Sequence, residues 1–110
     1  MKANTAVSRL AALAQDSRLA IFRLLVQRGP EGLPAGEIAS RLKLPAATLS
    51  FHLKELSNAG LLKSRQEGRF IYYAPDFKAM NALLAYLTEN CCAGSYQTAD
   101  CKPSSTCEVD

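Results

Sequence analysis

Pro45 sits between two helical patterns and separates them by a short turn. Before it, Ile38, Ala39 and Leu42 recur at helical spacing in GEIASRL. Proline disfavours the helical region for the residue that precedes it, so the first pattern stops there. After it, Leu49, Leu53 and Leu56 line one face of a second helix. Asn58-Ala59-Gly60 ends that helix, with Gly60 suited to the left-handed turn after a C-terminus. Two strand-like runs follow, Leu61 to Arg65 and Phe70 to Ala74, and Gln66-Glu67-Gly68-Arg69 between them reads as a hairpin turn. Helix, turn, helix and hairpin outline a winged helix-turn-helix, mostly α with a small β-hairpin wing. Such a unit lays its second helix in the major groove of DNA.

The second helix can be read by face. At about 100° per residue, Ala47, Phe51, Lys54 and Asn58 project away from the leucine stripe, with Ser50 and Glu55 on the flanks. The outward face is small at its N-terminal end and polar or basic farther on, a shape that can approach base edges. Ala47, Thr48, Ser50, Phe51 and Lys54 are therefore expected against DNA, together with Lys43 just before the helix. Arg65 and Arg69 on the hairpin are expected at phosphates or in the minor groove, with Glu67 poorly suited to either. Phe51 is unusual on an outward face; a thymine methyl suits it, and so does packing on the wing or on a helix partner. His52 flanks the buried stripe and is expected to pack or to contact phosphate rather than to bind metal.

Charge agrees with that reading. The 110 residues carry a formal net charge of +3. Between Gly36 and Tyr73 there are six basic and three acidic residues, so this stretch holds the whole excess. The length fits one domain with a core of its own. No apolar run approaches ~20 residues, so no membrane span is expected. The N-terminus has no apolar core of secretory type, which points to the cytoplasm. A single His and the lack of a phosphate-binding glycine loop argue against an enzyme.

The flanks of the helix-turn-helix supply more helices. Asn4 to Ala14 is a short helical pattern that needs a surface to lie on. Asp16 reads as an N-cap for SRLAIFRLLVQR, with Leu19, Phe22, Leu25 and Val26 inward and Gly29-Pro30 as the stop. Glu31 to Ala35 is a linker in which Leu33 can pair with the wing as a third strand. After Asp76, the run FKAMNALLAYLTEN carries Met80, Leu83, Leu84 and Leu87 at i, i+3, i+4 and i+7. The two ends of the chain thus carry apolar helices beyond what one small core requires. Val7, Leu10, Met80, Leu83, Leu84 and Leu87 are expected in the interface of a homodimer, which would present two recognition helices to a two-fold operator. Residues 1–90 form a DNA-binding and dimerisation domain in this reading, and residues 91–110 a cysteine-bearing C-terminal segment.

All four cysteines, Cys91, Cys92, Cys101 and Cys107, lie in that segment. A cytosolic protein has little use for structural disulfides. A soft-ion site, a thiol redox switch and a four-sulfur zinc site all remain open. Sulfur-only ligation selects soft ions, and zinc wants four tetrahedral ligands. Trivalent arsenic or antimony takes three thiolates in a pyramid, and Cys91, Cys92 and a returning Cys101 supply three, with Cys107 as a possible further sulfur. Neighbouring side chains on a helix diverge by about 100°, so the adjacent pair reaches one ion only if the helix end unwinds or bends. Ion binding is then expected to remodel the end of the interface helix and to oppose DNA binding.

Residues Asp16 to Leu87 resemble the ArsR/SmtB family of metal-responsive bacterial repressors, through SRLAIFRLL, GEIASRL, LSFHLKELSNAGLL and EGRFIYY. The resemblance implies a dimeric winged helix that represses transcription until a toxic ion binds, with no organic cofactor. Founding arsenic sensors of the family place their cysteines in the first helix of the helix-turn-helix, and EIASRL has none. Zinc and cobalt sensors use His and carboxylates on the last helix, and the single His lies elsewhere. The run ENCC before a third Cys is similar to the branch of arsenite and antimonite sensors whose vicinal cysteines follow the last helix. Pro45 stands where relatives often carry a Ser or Thr cap, a departure at the start of the recognition helix.

Overall fold

The computed structural model of the chain describes residues 1–91. Five helices and three strands follow in the order α1 (Ala3–Leu13), α2 (Asp16–Arg28), β1 (Leu33–Pro34), α3 (Ala35–Leu42), α4 (Ala46–Asn58), β2 (Leu62–Glu67), β3 (Phe70–Pro75) and α5 (Phe77–Leu87). The winged helix-turn-helix read from the sequence is present, including the third strand. The sheet order is β1-β3-β2, antiparallel throughout, with Leu33 opposite Tyr73 and Arg65 opposite Tyr72.

The core forms where α2, α3, α4 and the base of the hairpin meet. Ile21, Phe22, Leu25, Leu33, Ile38, Leu49, Leu53, Leu56, Leu61 and Leu62 make one buried cluster. The leucine stripe of α4 is therefore its inward face, as its spacing dictates. Pro45 separates α3 from α4 and opens the second helix: its backbone is extended, φ −61° and ψ 147°, and its carbonyl accepts from the Leu49 N–H at 2.9 Å. No side chain caps that end, so the absent Ser or Thr is not replaced. Lys43 ends α3 in the left-handed region at φ 57°, which sets the turn between the two helices.

Two expectations for α2 are corrected. Asp16 lies inside the helix; the cap is Gln15, whose side-chain oxygen accepts from the Arg18 N–H at 2.9 Å. Leu19 is 45% exposed rather than inward. The buried seam is rotated toward Ile21, so Arg18, Ile21 and Leu25, spaced three and four apart, share it. Helix α1 also begins and ends one residue earlier than its pattern suggests.

The hairpin is longer than the apolar runs indicate because its pairing continues to Glu67 opposite Phe70. That leaves a two-residue turn, with Gly68 at φ 64° in the first central position, where primed hairpin turns need positive φ. Every residue from Lys63 to Ile71 is exposed. The wing thus projects from the body instead of packing on it.

Helix α5 starts on Asp76, whose carboxylate accepts from the Ala79 N–H at 3.1 Å. It packs on α1, and Ala79 and Leu83 are buried. It stops at Leu87, three residues short of the pattern's end at Asn90. Asn90 adopts φ 57°.

Candidate nucleic-acid interface

The exposed face of α4 is the one opposite the leucine stripe. Ala47, Thr48, Ser50, Phe51 and Lys54 are all solvent-exposed, as are Lys43 at the preceding turn and Arg65 and Arg69 on the wing. The eight residues expected against DNA are thus all accessible. Phe51 is 55% exposed, with its ring edge-on to His52 at 5.5 Å between centroids. An exposed aromatic beside small residues leaves an apolar contact for a base methyl in a groove.

Arg65 is held on the wing by two neighbours. Its Nε donates to Glu67 at 2.6 Å, and its guanidinium lies 4.8 Å from the centre of the Tyr72 ring. Both partners are on the hairpin, so the side chain is pre-oriented there; the exposed ion pair itself adds little stability. Glu67 therefore helps to position the Arg65 guanidinium. At the wing tip, Phe70 is 57% and Ile71 45% exposed beside Arg69. Their sequence signal, a short β-prone run, suggests a strand and does not disclose which face is bare.

His52 is the buried polar group on α4, 7% exposed. Its Nδ1 lies 3.3 Å from Arg18 Nη1. A guanidinium can only donate, so Nδ1 acts as acceptor and the ring is neutral with its proton on Nε2. Burial holds its pKa below 6.5, Arg18 lowers it further, and Glu55 acts in the opposite direction. The expected packing role is the one the geometry supports.

Away from α4 in sequence, Val7, Leu10, Leu84 and Leu87 are exposed by 63, 41, 54 and 53%. They belong to α1 and α5, which pack on each other. Leu83 is covered within the chain itself, and Met80 packs against the core, so these two anchor α5 to its own protomer.

Cys91 is exposed and lies beyond α5; its N–H donates to the Thr88 carbonyl at 3.1 Å. The sequence reading put the vicinal cysteines on the helix end, where unwinding would be needed. Helix α5 ends at Leu87, and Cys91 lies in a 3-10 turn beyond it. Cys92, Cys101 and Cys107 lie outside the described residues. Among the described residues there is no grouping of three or more His, Cys, Asp or Glu side chains fit to hold a metal.

A helix-turn-helix with an exposed, polar-to-basic second helix and a projecting, arginine-bearing hairpin is a DNA-binding regulator of the winged-helix class. A family model described as a helix-turn-helix domain matches residues 13–65. The transcriptional activator HlyU of Vibrio cholerae is 38% identical over 82 residues, which cover 72% of this chain and 73% of that protein. Its solved structure superposes with a TM-score of 0.62 over 79% of this chain and 97% of that one. A cadmium resistance regulatory protein, a CadC homologue of Staphylococcus aureus, is 34% identical over 66% of this chain and 59% of its own length. A homodimeric winged helix-turn-helix domain from Mycobacterium bovis, described as a possible ArsR-family regulator, is 29% identical, with a TM-score of 0.63 over 79% of this chain and 81% of that one. The chain belongs to the ArsR/SmtB family of DNA-binding transcriptional regulators. No helix among the described residues is long and apolar enough to cross a membrane.

Proposed function

We propose that this regulator is a homodimeric repressor, released from its operator when trivalent arsenic or antimony is bound by the thiolates of Cys91, Cys92 and Cys101, with Cys107 as a further available sulfur. The observation that carries the reading is the position of Cys91. It is exposed, four residues past the last residue of α5, and follows Asn90 in a left-handed conformation. Cys91 thus lies beyond α5 and immediately before Cys92 in sequence, where a set of sulfurs could gather without including a residue of α5. The cysteine-only donor set favours soft ions. A relative named for cadmium resistance, another soft ion, fits the same chemistry.

Helix α5 joins the two activities. It carries Leu84 and Leu87, half of the bare apolar face, and leads directly to Cys91. Two chains meeting on that face would set the separation of their recognition helices. An ion drawing the residues after Leu87 together changes how α5 meets its partner, and so opposes DNA binding through one coupling free energy. Couplings of this kind amount to about 1–3 kcal/mol.

The test follows fluorescence anisotropy of a duplex from the protein's own promoter under reducing conditions. Arsenite, antimonite and zinc are titrated separately. Release by arsenite or antimonite from the wild type, and none from Cys91→Ser, is the expected outcome. Release by zinc alone moves the ligand to a four-cysteine zinc site. Release by peroxide without any ion moves it to a thiol redox switch. Equal DNA affinity of Cys91→Ser and wild type with and without arsenite overturns the sensing role. A reporter on the same promoter gives the direction of control: repression requires expression to rise when arsenite is added.

A further inference from the structure

The recognition helix is gripped by two arginines from outside the helix-turn-helix. Arg9 of α1 donates from Nε to the carbonyl of Ala59, the residue that caps the C-terminus of α4, at 3.0 Å. Arg18 of α2 donates from Nε to the carbonyl of Ala12 near the end of α1 at 2.8 Å, and its Nη1 lies 3.3 Å from His52 Nδ1 in the middle of α4. One guanidinium therefore joins α1, α2 and α4, and a second joins α1 to the end of α4.

Apolar packing along the seam they bridge, by Ala12, Leu13 and Ala59, is incomplete. Clefts of about 330 and 410 Å³ open along it, and both are lined by Ser8, Asn58 and Ala59. The leucine stripe of α4 lies next to this seam, with His52 on its flank. Gly60 is shaped to the same arrangement. Its φ of 80° suits glycine, and a Cβ there would come within 3.0 Å of Arg9 Nη2. The glycine at the end of α4 serves the turn through its positive φ, and Arg9 lies close beside it.

We propose that Arg9 and Arg18 are positioning residues for DNA binding, which set the angle of the recognition helix against α1 through Ala59 and His52. Neither side chain lies on the exposed face of α4, so neither reads bases. Arg18 is half-buried and its described bonds face inward. The two bonds act on different points of α4, its middle and its end, and together oppose a pivot about the leucine stripe. The proposal rests on the DNA-binding role of α4 and does not depend on the ion that releases it.

The experiment uses the full chain and a duplex recovered by the wild-type protein from a random-sequence library. Arg9→Met and Arg18→Met keep the side-chain stem and remove the donors. His52→Leu removes the acceptor, and His52→Asn keeps one near the place of Nδ1. Val26→Ala, in the packed part of α2 away from the seam, is the control for lost stability. Each variant is first compared with wild type by far-ultraviolet circular dichroism and thermal midpoint. The expected result is an affinity loss of about tenfold for Arg9→Met, Arg18→Met and His52→Leu. Val26→Ala is expected to bind as wild type does at an equal or greater loss of thermal midpoint, and His52→Asn to bind close to wild type. The double variant Arg18→Met/His52→Leu should be no weaker than either single one, because the pair acts as a unit. Wild-type affinity in Arg9→Met and Arg18→Met overturns the proposal. So does a loss no greater than that of Val26→Ala, or additive losses in the double variant. A wild-type protein that recovers no duplex removes the DNA-binding reading itself, an outcome distinct from any of these.

Discussion

His52 shows how little a residue's chemistry says until its neighbours are known. Its place beside the leucine stripe is visible in the sequence, and a packing role follows from that. Its protonation state does not, because the group that requires Nδ1 to be an acceptor is Arg18, 34 residues earlier. Burial and Arg18 hold the folded pKa below 6.5, so the unfolded chain takes up the proton first as pH falls. Above 6.5 the ring is neutral in both states and titration has no effect on stability. As pH falls through 6.5 and on through the lowered folded value, this contribution is lost. The thermal midpoint of the wild type should therefore drop on acidification more than that of His52→Asn. Parallel curves for the two proteins between about pH 7 and pH 5 would show that the ring is not linked to folding. Other residues of the site were more legible. Ala47, Thr48, Ser50, Phe51 and Lys54 are exposed because a helix of 3.6 residues per turn with leucines at 49, 53 and 56 leaves them no other side. Leu19 was misplaced by the same rule. Its spacing from Phe22 fits the inward face, yet the seam turns toward Ile21, a rotation that only the packing of α2 on its neighbours fixes.

At the scale of elements, local signals located every helix and strand but not their ends. Pro45, Gly29 and Gly68 mark boundaries because their backbones are restricted or permissive whatever surrounds them. The end of α5 has no such marker. The apolar pattern ends at Leu87 but the polar residues after it, to Asn90, carry no breaker, while the helix stops at Leu87, where Thr88 turns its hydroxyl back to the Leu84 carbonyl at 3.0 Å. That stop takes Cys91 off the helix. The faces of α1 and α5 carry the prediction proper to this scale. Val7, Leu10, Leu84 and Leu87 are exposed apolar residues on two helices in mutual contact, and each of these half-exposed leucines offers about 1 kcal/mol if its remaining surface is covered. The double variant Leu84→Glu/Leu87→Glu should fold, since both positions are already in solvent, and should be monomeric by analytical ultracentrifugation, whereas the wild type is expected to sediment as a dimer. An unchanged sedimentation coefficient in the variant would place the dimer contact elsewhere. Leu83→Glu would not make this test, because Leu83 is buried in its own protomer.

For the whole molecule, binding to DNA should be governed by the charges that the fold exposes together. Lys43, Lys54, Arg65 and Arg69 come from a turn, a helix and a hairpin, and all are exposed. Affinity for duplex DNA should fall steeply with salt, because each phosphate neutralised releases condensed counterions. Lys54→Ala should weaken binding; if the side chain meets a phosphate, the slope of log affinity against log salt becomes shallower by about 1 per protomer. If it meets a base edge instead, the slope is retained and the preference at one base pair relaxes, by about 1–3 kcal/mol. Salt titrations of wild type and variant on matched and altered duplexes separate the two. A slope and preference both unchanged would exclude Lys54 from the interface.

The sequence by itself determined the winged helix-turn-helix, the inward and outward faces of the recognition helix, and the exposed basic residues. These follow from periodicity, proline and glycine restrictions and charge, which act over a few residues. Tertiary structure alone decided which apolar residues of α5 stay bare, that His52 is a neutral acceptor, and that Arg9 and Arg18 tie the recognition helix to α1. Those outcomes depend on carbonyls, rings and guanidinium groups brought together across gaps of up to 50 residues, as with Arg9 and Ala59, and no local pattern encodes such a meeting.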